Sequence, residues 1–252
     1  MNPSEPQLGF SFRTRGGFRR GAGRKPKGAR AGVPHRVREP LAGRHPVHVT
    51  LRLRRELGSL RSRLAYRAFW AAWAAVRPGL GLRLVHYSVQ HDHVHLIVEV
   101  QGTPALSRGM QGLCIRMARA LNRALGRRGS VFTDRYHAHA LRTLREVRNA
   151  LVYVINNHRH HAAERGVVLG PGFDVFSSAV WFDAWREGLQ RWPKPETGPP
   201  PVSPAQTWLL TVGHRRYPAP SITDVPGRQA REVKRARSRA HRGAVPGPDL
   251  RG

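Results

Sequence analysis

Hydrophobic and polar residues between positions 45 and 162 follow two periods, one typical of strands and one typical of helices. Strand-like patterns, rich in branched apolar residues, occur in four segments: Val47 to Leu53, Leu82 to Gln90, His93 to Val100 and Val131 to Leu141. Because only His91 and Asp92 separate the second segment from the third, these two strands are predicted to form a hairpin.

The helical period occurs in three segments: Ser59 to Val76, Thr103 to about Leu125, and Thr143 to about His161. Thr143 and Glu146 have the spacing of a capping box, which marks the start of the third helix. The resulting order, β-α-β-β-α-β-α, predicts an α+β fold: a ferredoxin-like antiparallel sheet with helices on one face.

Composition divides the chain into four regions. Residues 1–44 are rich in Gly, Arg and Pro and predict a disordered basic arm, whereas residues 45–162 carry the periodic segments of the folded domain. Residues 163–192 predict an extension packed on that domain. Residues 193–252 predict a Pro-rich linker and a disordered basic tail, with a hint of one small helix near Trp208.

Charge indicates the class of partner. The formal net charge is +29, from 44 Lys and Arg against 15 Asp and Glu. Such an excess predicts a polyanionic partner, with nucleic acid foremost. Most of these cations are Arg, which grips phosphate bidentately and stacks on bases.

Cys114 is the only cysteine, which excludes an internal disulfide framework and cysteine-based zinc modules and fits a reducing compartment. The first residues lack the apolar core of a signal peptide, and the longest apolar run, Ala68 to Val76, is too short to span a bilayer. We therefore expect a cytoplasmic, nucleoid-associated protein that does not contact a membrane.

Candidate DNA-binding residues lie in three places. The segment from Gly23 to Gly28 resembles an AT-hook core, although a general phosphate-binding tail is the favoured interpretation. Other arginines lie off the apolar stripe of the second helix, where a solvated surface is the alternative, and in the turn and strand that follow. The full set is Arg24, Lys25, Lys27, Arg108, Arg116, Arg119, Arg123, Arg127, Arg128 and Arg135.

The residues with candidate chemistry are two histidines and a tyrosine. Alternate residues of a strand share a face, so His93 and His95 are predicted to point the same way and could hold one divalent cation. Tyr153 falls on the side of the third helix opposite its apolar stripe, with Asn157 about one turn later. If this helix lies beside the histidines, it could offer Tyr153 as a nucleophile and Asn157 as a third ligand for Mg²⁺ or Mn²⁺.

Each of these assignments has an alternative. Tyr153 could be an ordinary half-exposed tyrosine, and the two histidines could be polar residues at a strand end. His137 and His139 form a second His-x-His pair. It ranks lower as a metal site because Ala138, between them, is too small to anchor the strand in a core. His48, in the first strand, could orient one of the ligands.

These residues carry a resemblance to a known family. The segment from His93 to Glu99 is similar to the HUH motif, two histidines flanking a bulky hydrophobe. The segment from Tyr153 to Asn157 resembles the nucleophile helix of single-tyrosine HUH transposases, in particular the REP-associated tyrosine transposases of the IS200-like family, and Phe132 to Tyr136 is also similar. The resemblance covers roughly residues 44 to 162. Asp92 and His158 depart from it, since many relatives have Asn and Pro there.

The resemblance implies a mechanism. A divalent cation held by His93, His95 and Asn157 would polarise a scissile phosphate, and Tyr153 would attack it to give a 5′-phosphotyrosine link and a free 3′-hydroxyl. No nucleotide cofactor is expected, because the covalent link retains the energy of the phosphodiester and no Gly-Lys pair of a Walker A motif is present. The implied substrate is single-stranded DNA with hairpins or repeats. Family members act as dimers or as monomers, which leaves a homodimer open.

Three rival functions remain on the sequence alone. A ferredoxin-like sheet also builds RNA-binding modules, but the third strand carries His93 and His95 where aromatic stacking residues would be needed. A retired transposase that only binds chromosomal repeats is the second rival. A replication or conjugation relaxase is the third rival. It ranks last because such proteins are usually longer than this chain.

Overall fold

The computed structural model describes residues 39–75, 81–188 and 200–227. The predictions of a disordered arm containing Arg24, Lys25 and Lys27 and of a disordered tail after residue 227 lie outside these residues, as does the part of the predicted linker at 193–199.

Four strands form one antiparallel sheet: β1 (Val47–Arg52), β2 (Leu82–Val89), β3 (His93–Val100) and β4 (His137–Ala140). The sheet order is β2-β3-β1-β4, which confirms the ferredoxin-like α+β fold. The fourth strand is shorter than predicted, since only an isolated bridge between Leu53 and Phe132 precedes it. Asp134 explains part of the difference, because its carboxylate accepts from the Arg135 amide and so competes with strand pairing.

The helices are α1 (Arg63–Ala74), α2 (Thr103–Ala124), α3 (Leu144–Ile155), α4 (Asn157–Glu164) and α5 (Trp208–Thr211). Short 3-10 turns occupy Arg55–Leu57, Ala179–Trp181 and Gly213–Arg216. The first helix begins later than predicted because the Ser62 side chain, not that of Ser59, caps it by accepting from the Ala65 amide. The predicted capping box of Thr143 and Glu146 is present at the start of α3.

The helices cover both faces of the sheet. Helices α1 and α2 pack on one face, in a core that contains Val94, Leu96 and Val98 of β3. Helix α3 packs on the other face, in a second core with Val85 and Ile97. The prediction of helices on one face is therefore wrong for α3. The physical reason is that Val85 and Ile97 point away from the first core, so that the second side of the sheet also has apolar surface to cover.

The chain after α4 also packs on the second core. Phe182 and Trp185 are buried there. Residues 200–227, which contain the small helix predicted near Trp208, fold back on the same side. Buried Glu99 explains the docking, because its carboxylate accepts from the backbone amides of Gln206 and Thr207 at 2.7–3.0 Å. Within the described ranges, no helix is long and apolar enough to cross a bilayer.

A close contact between α2 and β2 generates a stability prediction. A Cβ added at Gly109 would lie 2.5 Å from the Cβ of Leu82, too close for the helix to keep its distance from the sheet. We expect Gly109→Ala to lower the free energy of unfolding by about 1–3 kcal/mol, the usual cost of overpacking a core. Urea unfolding of the full chain measures it.

Gly112→Ala, on the same helix, is the matched control. Its Cβ would meet only the Arg116 guanidinium, at 3.1 Å, which can move aside. Replacing a helical glycine with alanine should then stabilise the chain by up to ~1 kcal/mol. Equal stabilities of the two variants would contradict this account of the α2–β2 contact.

Candidate active site

Two imidazoles share one face of the central strand β3. His93 and His95 lie on the side of Ile97, and their ring centroids are 4.8 Å apart with the planes at 82°. Val94 lies on the opposite side, in the first core, as its alternation predicts. The neighbouring strand β1 places Thr50 opposite His95. The sheet thus brings the predicted pair together at the end of β3 nearest the hairpin turn.

The surroundings of His95 leave one ring nitrogen free. Its Nδ1 lies 3.2 Å from both His48 Nε2 and Thr50 Oγ1, so His48 contacts the pair as expected. An Nδ1–H that donates to either neighbour leaves the Nε2 lone pair available. That Nε2 is buried and has no hydrogen-bond partner. Burial, followed by the nearby His48, lowers the pKa of His95 to about 2, so the ring is neutral at physiological pH.

The surroundings of His93 also favour a neutral ring, through burial, and a free Nε2, through a carboxylate. Its Nδ1 lies 2.7 Å from Asp92 Oδ1, a geometry in which the Nδ1–H donates to the carboxylate. Burial lowers the pKa of His93, although Asp92 opposes that shift. A carboxylate behind an imidazole fixes its tautomer and turns the other nitrogen toward a ligand. Both histidines can therefore present Nε2.

Tyr153 lies between α3 and the histidine face of the sheet. Its ring centroid is 5.0 Å from that of His95 and 5.9 Å from that of His48, both edge-on. The sequence predicts that Tyr153 faces away from the core of its helix. In the structure it is half-buried and packs against the second core, because β1 and β3 lie beneath that side of α3.

Asn156 interrupts the predicted third helix and separates α3 from α4. Its backbone has φ −111° and ψ 17°, outside the helical range. Its side-chain amide donates to the carbonyls of Ser221 and Asp224 at 2.9 and 3.0 Å, so the C-terminal segment holds the break. Because Asn156 is 1% exposed, these two bonds supply its amide with the partners that a buried polar group needs.

The next residue, Asn157, is fully buried, yet neither atom of its amide has a hydrogen-bond partner. A buried amide without a partner costs about 1–3 kcal/mol, so a site that keeps one indicates a missing ligand. Two neutral imidazole nitrogens and an amide oxygen are a donor set that suits Mg²⁺ or Mn²⁺ when phosphate and water complete the shell. In the described part of the chain no three His, Cys, Asp or Glu side chains form a metal cluster, so a cation here would need such an oxygen.

The sequence analysis did not identify three residues that lie near the histidine pair. The ring of His161 lies 5.8 Å from that of His93, and its Nε2 is buried without a partner. Arg52 pairs with His93 in the β1–β3 register, and Arg55 lies near enough to lower the pKa of Asp92, although burial opposes this. Two signals were present. His161 follows Asn157 by four residues, and Arg52 ends the strand that borders β3.

The predicted DNA-binding arginines are not all near the site. Arg108, Arg116, Arg119 and Arg123 lie on α2, on the face of the sheet opposite the histidines. Arg127 and Arg128 follow α2, and Arg135 is exposed before β4. Their DNA contacts remain a prediction. The rival pair, His137 and His139, is exposed on the edge strand β4.

Comparison with known proteins adds a family to this geometry. Residues 45–157 match the family model described as "Transposase IS200 like". A solved structure of a REP-associated tyrosine transposase bound to a REP hairpin also matches. It is 16% identical, with a TM-score of 0.47, over 69% of this chain and 99% of that one. No curated protein matches the chain.

The Asn156 bridge generates the second prediction. Asn156→Ala removes the donor to one buried and one partly buried carbonyl, so it should lower the free energy of unfolding by about 1–3 kcal/mol. It should also raise hydrogen exchange of the amides in 221–227. Asn149→Ala, at an exposed position of the same helix, should change stability by less than ~0.5 kcal/mol. Unchanged exchange in Asn156→Ala would show that the bridge does not hold the segment.

Proposed function

Residues 45–157 belong to the IS200-like transposase family, and on that premise we propose that this domain cuts and rejoins single-stranded DNA through Tyr153. One observation carries the proposal. The Tyr153 ring stands edge-on at 5.0 Å from His95, whose free Nε2 and the unpartnered amide of Asn157 are both buried. The proposed nucleophile therefore lies beside one free ligand nitrogen, and Asn157 follows Tyr153 by four residues.

The proposed step is an attack of the Tyr153 hydroxyl oxygen on the scissile phosphorus. A bond from that oxygen to phosphorus forms, the bond to the 3′ oxygen breaks, the phenol proton passes to solvent, and the departing oxygen takes a proton from water. The products are a 5′-phosphotyrosine and a free 3′-hydroxyl, and the reverse attack rejoins DNA without a nucleotide cofactor. A divalent cation, when bound, would polarise the phosphate and offset its charge.

The residues around Tyr153 would prepare this step. His93 and His95 would supply nitrogens to Mg²⁺ or Mn²⁺, and Asn157 an amide oxygen. Asp92 would hold the first imidazole through its 2.7 Å contact, and His48 and Thr50 would hold the second. These contacts support the assignment because they fix both rings before any substrate arrives, which reduces the cost of organising the site.

The proposed substrate is single-stranded DNA that carries hairpins or repeats. The net charge of +29 supports a nucleic acid, and the family supports DNA. Arg52 and Arg55 line a cleft that Asp92 also lines, beside His93. Cations there can hold the phosphates that flank the cut. A homodimer remains open under this proposal.

Tyr153→Phe tests the nucleophile. The variant removes one oxygen and keeps the ring that packs against His95, so the covalent adduct should disappear and cleavage should fall ~10³-fold or more, with DNA affinity unchanged. The substrate is single-stranded hairpin DNA from the flanks of its own gene, with Mn²⁺. Tryptic mapping of the wild-type adduct should place the DNA on the peptide 149–159, whose only tyrosine is Tyr153.

Tyr136→Phe is the matched control, because Tyr136 packs with the first core, across the sheet from Tyr153, and should keep cleavage. An adduct on Tyr136 would refute the assignment. A 5′-phosphate product without a covalent intermediate would instead indicate a nuclease that uses water. Binding without any cleavage would favour a retired transposase.

Variants of the histidine pair test the metal. His93→Ala and His95→Ala should each abolish Mn²⁺-dependent cleavage and weaken Mn²⁺ binding measured by calorimetry, because each removes a ligand nitrogen. Asp92→Asn should weaken Mn²⁺ binding by only about 10–100-fold, because it loosens one ligand without removing it. His137→Ala, on the exposed edge strand, serves as the control and should behave like the wild type. Full cleavage by either ligand variant would rule out this site.

A further inference from the structure

A cavity of about 620 Å³ lies next to the histidine pair. It is lined by His93 and His161 at the site and extends to a loop formed by residues 167–175. Its volume falls within the range of sites that bind organic molecules, about 300–1,000 Å³. The proposed chemistry needs only a phosphate and a tyrosine, and so leaves this space without a role.

One side of the cavity is polar. His158, Arg159 and Arg165 of the α4 region line it, together with Asp92. Two ring nitrogens there, His158 Nδ1 and His161 Nε2, are buried without hydrogen-bond partners. The partly exposed His161 ring can contact a polar ligand edge, and the exposed Arg165 favours a ligand that carries negative charge.

The other side of the cavity is apolar. Val167, Leu169, Pro171, Phe173 and Val175 of the loop line it. Three of these side chains are large hydrophobics with substantial exposure, 48% at Val167, 37% at Leu169 and 73% at Val175. An exposed group of this kind beside a cationic surface indicates a ligand with a flat apolar part and an anionic part.

Buried hydrogen bonds fix the shape of the loop. The Arg159 guanidinium, which is 4% exposed, donates to the carbonyls of Leu169, Gly170 and Gly172 at 3.0, 2.7 and 3.2 Å. At the far end, Arg61 forms a bidentate pair with Asp174, at 2.8 and 2.7 Å. Two guanidiniums therefore hold both ends, and the cavity exists before a ligand arrives.

We propose that this cavity binds one unpaired nucleotide of the DNA strand next to the scissile phosphate. The base would lie against the apolar loop, and its edge and phosphate would face the histidines of α4 and Arg165, which follows α4. A nucleotide combines a flat apolar face with a polar edge and an anionic phosphate. Because the cavity adjoins His93, a strand that places a phosphate there can bring a neighbouring nucleotide into it. This inference rests on the proposed function and adds recognition of a base to it.

The experiment separates base contacts from phosphate contacts. The full chain carrying Tyr153→Phe, which prevents turnover, is titrated by fluorescence anisotropy with a dT 20-mer and with an abasic 20-mer of the same backbone. Both probes have the same phosphates, so the ratio of their dissociation constants measures base contacts. Stacking and edge contacts should favour the dT probe by on the order of tenfold.

Gly170→Trp tests whether the cavity provides that preference. Gly170 lines the cavity, and a Cβ added there would have no atom within 4 Å. The indole should occupy the base position, reduce the preference to nearly one, and leave binding of the abasic probe within ~twofold, because the phosphate contacts are elsewhere. Val168→Trp, two residues away and 94% exposed, should keep the preference.

A preference that Gly170→Trp leaves unchanged would overturn the proposal, as would equal weakening of both probes. Val175→Trp fills the same cavity from a 73% exposed position and must reproduce the result if Gly170→Trp proves unstable. The readout does not require cleavage. A cavity-dependent preference, together with a wild-type chain that forms no adduct in the cleavage assay, would retain this inference and refute the proposed cleavage. An adduct on the wild-type chain with no such preference would do the reverse.

Discussion

The site depends on one strand that is buried on both faces. Strand β3 sends Val94, Leu96 and Val98 into the core under α1 and α2, and Ile97 into the core under α3. His95 lies on the α3 side at 4% exposure, where a charged imidazole would lose its hydration. The position therefore requires a neutral ring, and a neutral imidazole is a ligand and a hydrogen-bonding partner rather than a cation. The same burial that completes the fold sets the protonation state of the site.

The two adjacent asparagines at the α3–α4 break show how the fold reserves a polar group for function. The amide of Asn156 is fully used, because it bonds to the carbonyls of Ser221 and Asp224. Asn157 is equally buried and its amide has no partner. If the break existed only to end a helix, both amides would be satisfied, since buried polar groups rarely lack partners. The contrast supports a ligand at Asn157, and it gives residues 221–224 a part in holding that residue in place.

Local patterns could be predicted from the sequence, and contacts between distant segments could not. The bounds of β3, the capping box at Thr143 and the His-x-His motif are local, and the family match over residues 45–157 confirms the resemblance on which the functional prediction relied. The placement of α3 required knowing that the second face of β3 was uncovered. The docking of residues 200–227 was hidden because Glu99 holds them through backbone amides, which carry no sequence signal.

The arginines near the histidine pair and the exposed arginines of α2 have different surroundings. Arginines close to the site are largely engaged by the protein itself. Arg61 pairs with Asp174, Arg148 pairs with Asp224, and Arg159 donates to three carbonyls. Exposed arginines such as Arg108, Arg119 and Arg123 lie on α2, across the sheet from the histidines. Phosphate contacts supply most of the affinity for DNA without selecting a position on it. Under the proposed function, selection of the cut would then come from the geometry around Tyr153 and from the neighbouring cavity, whose loop is held by Arg159 and Arg61.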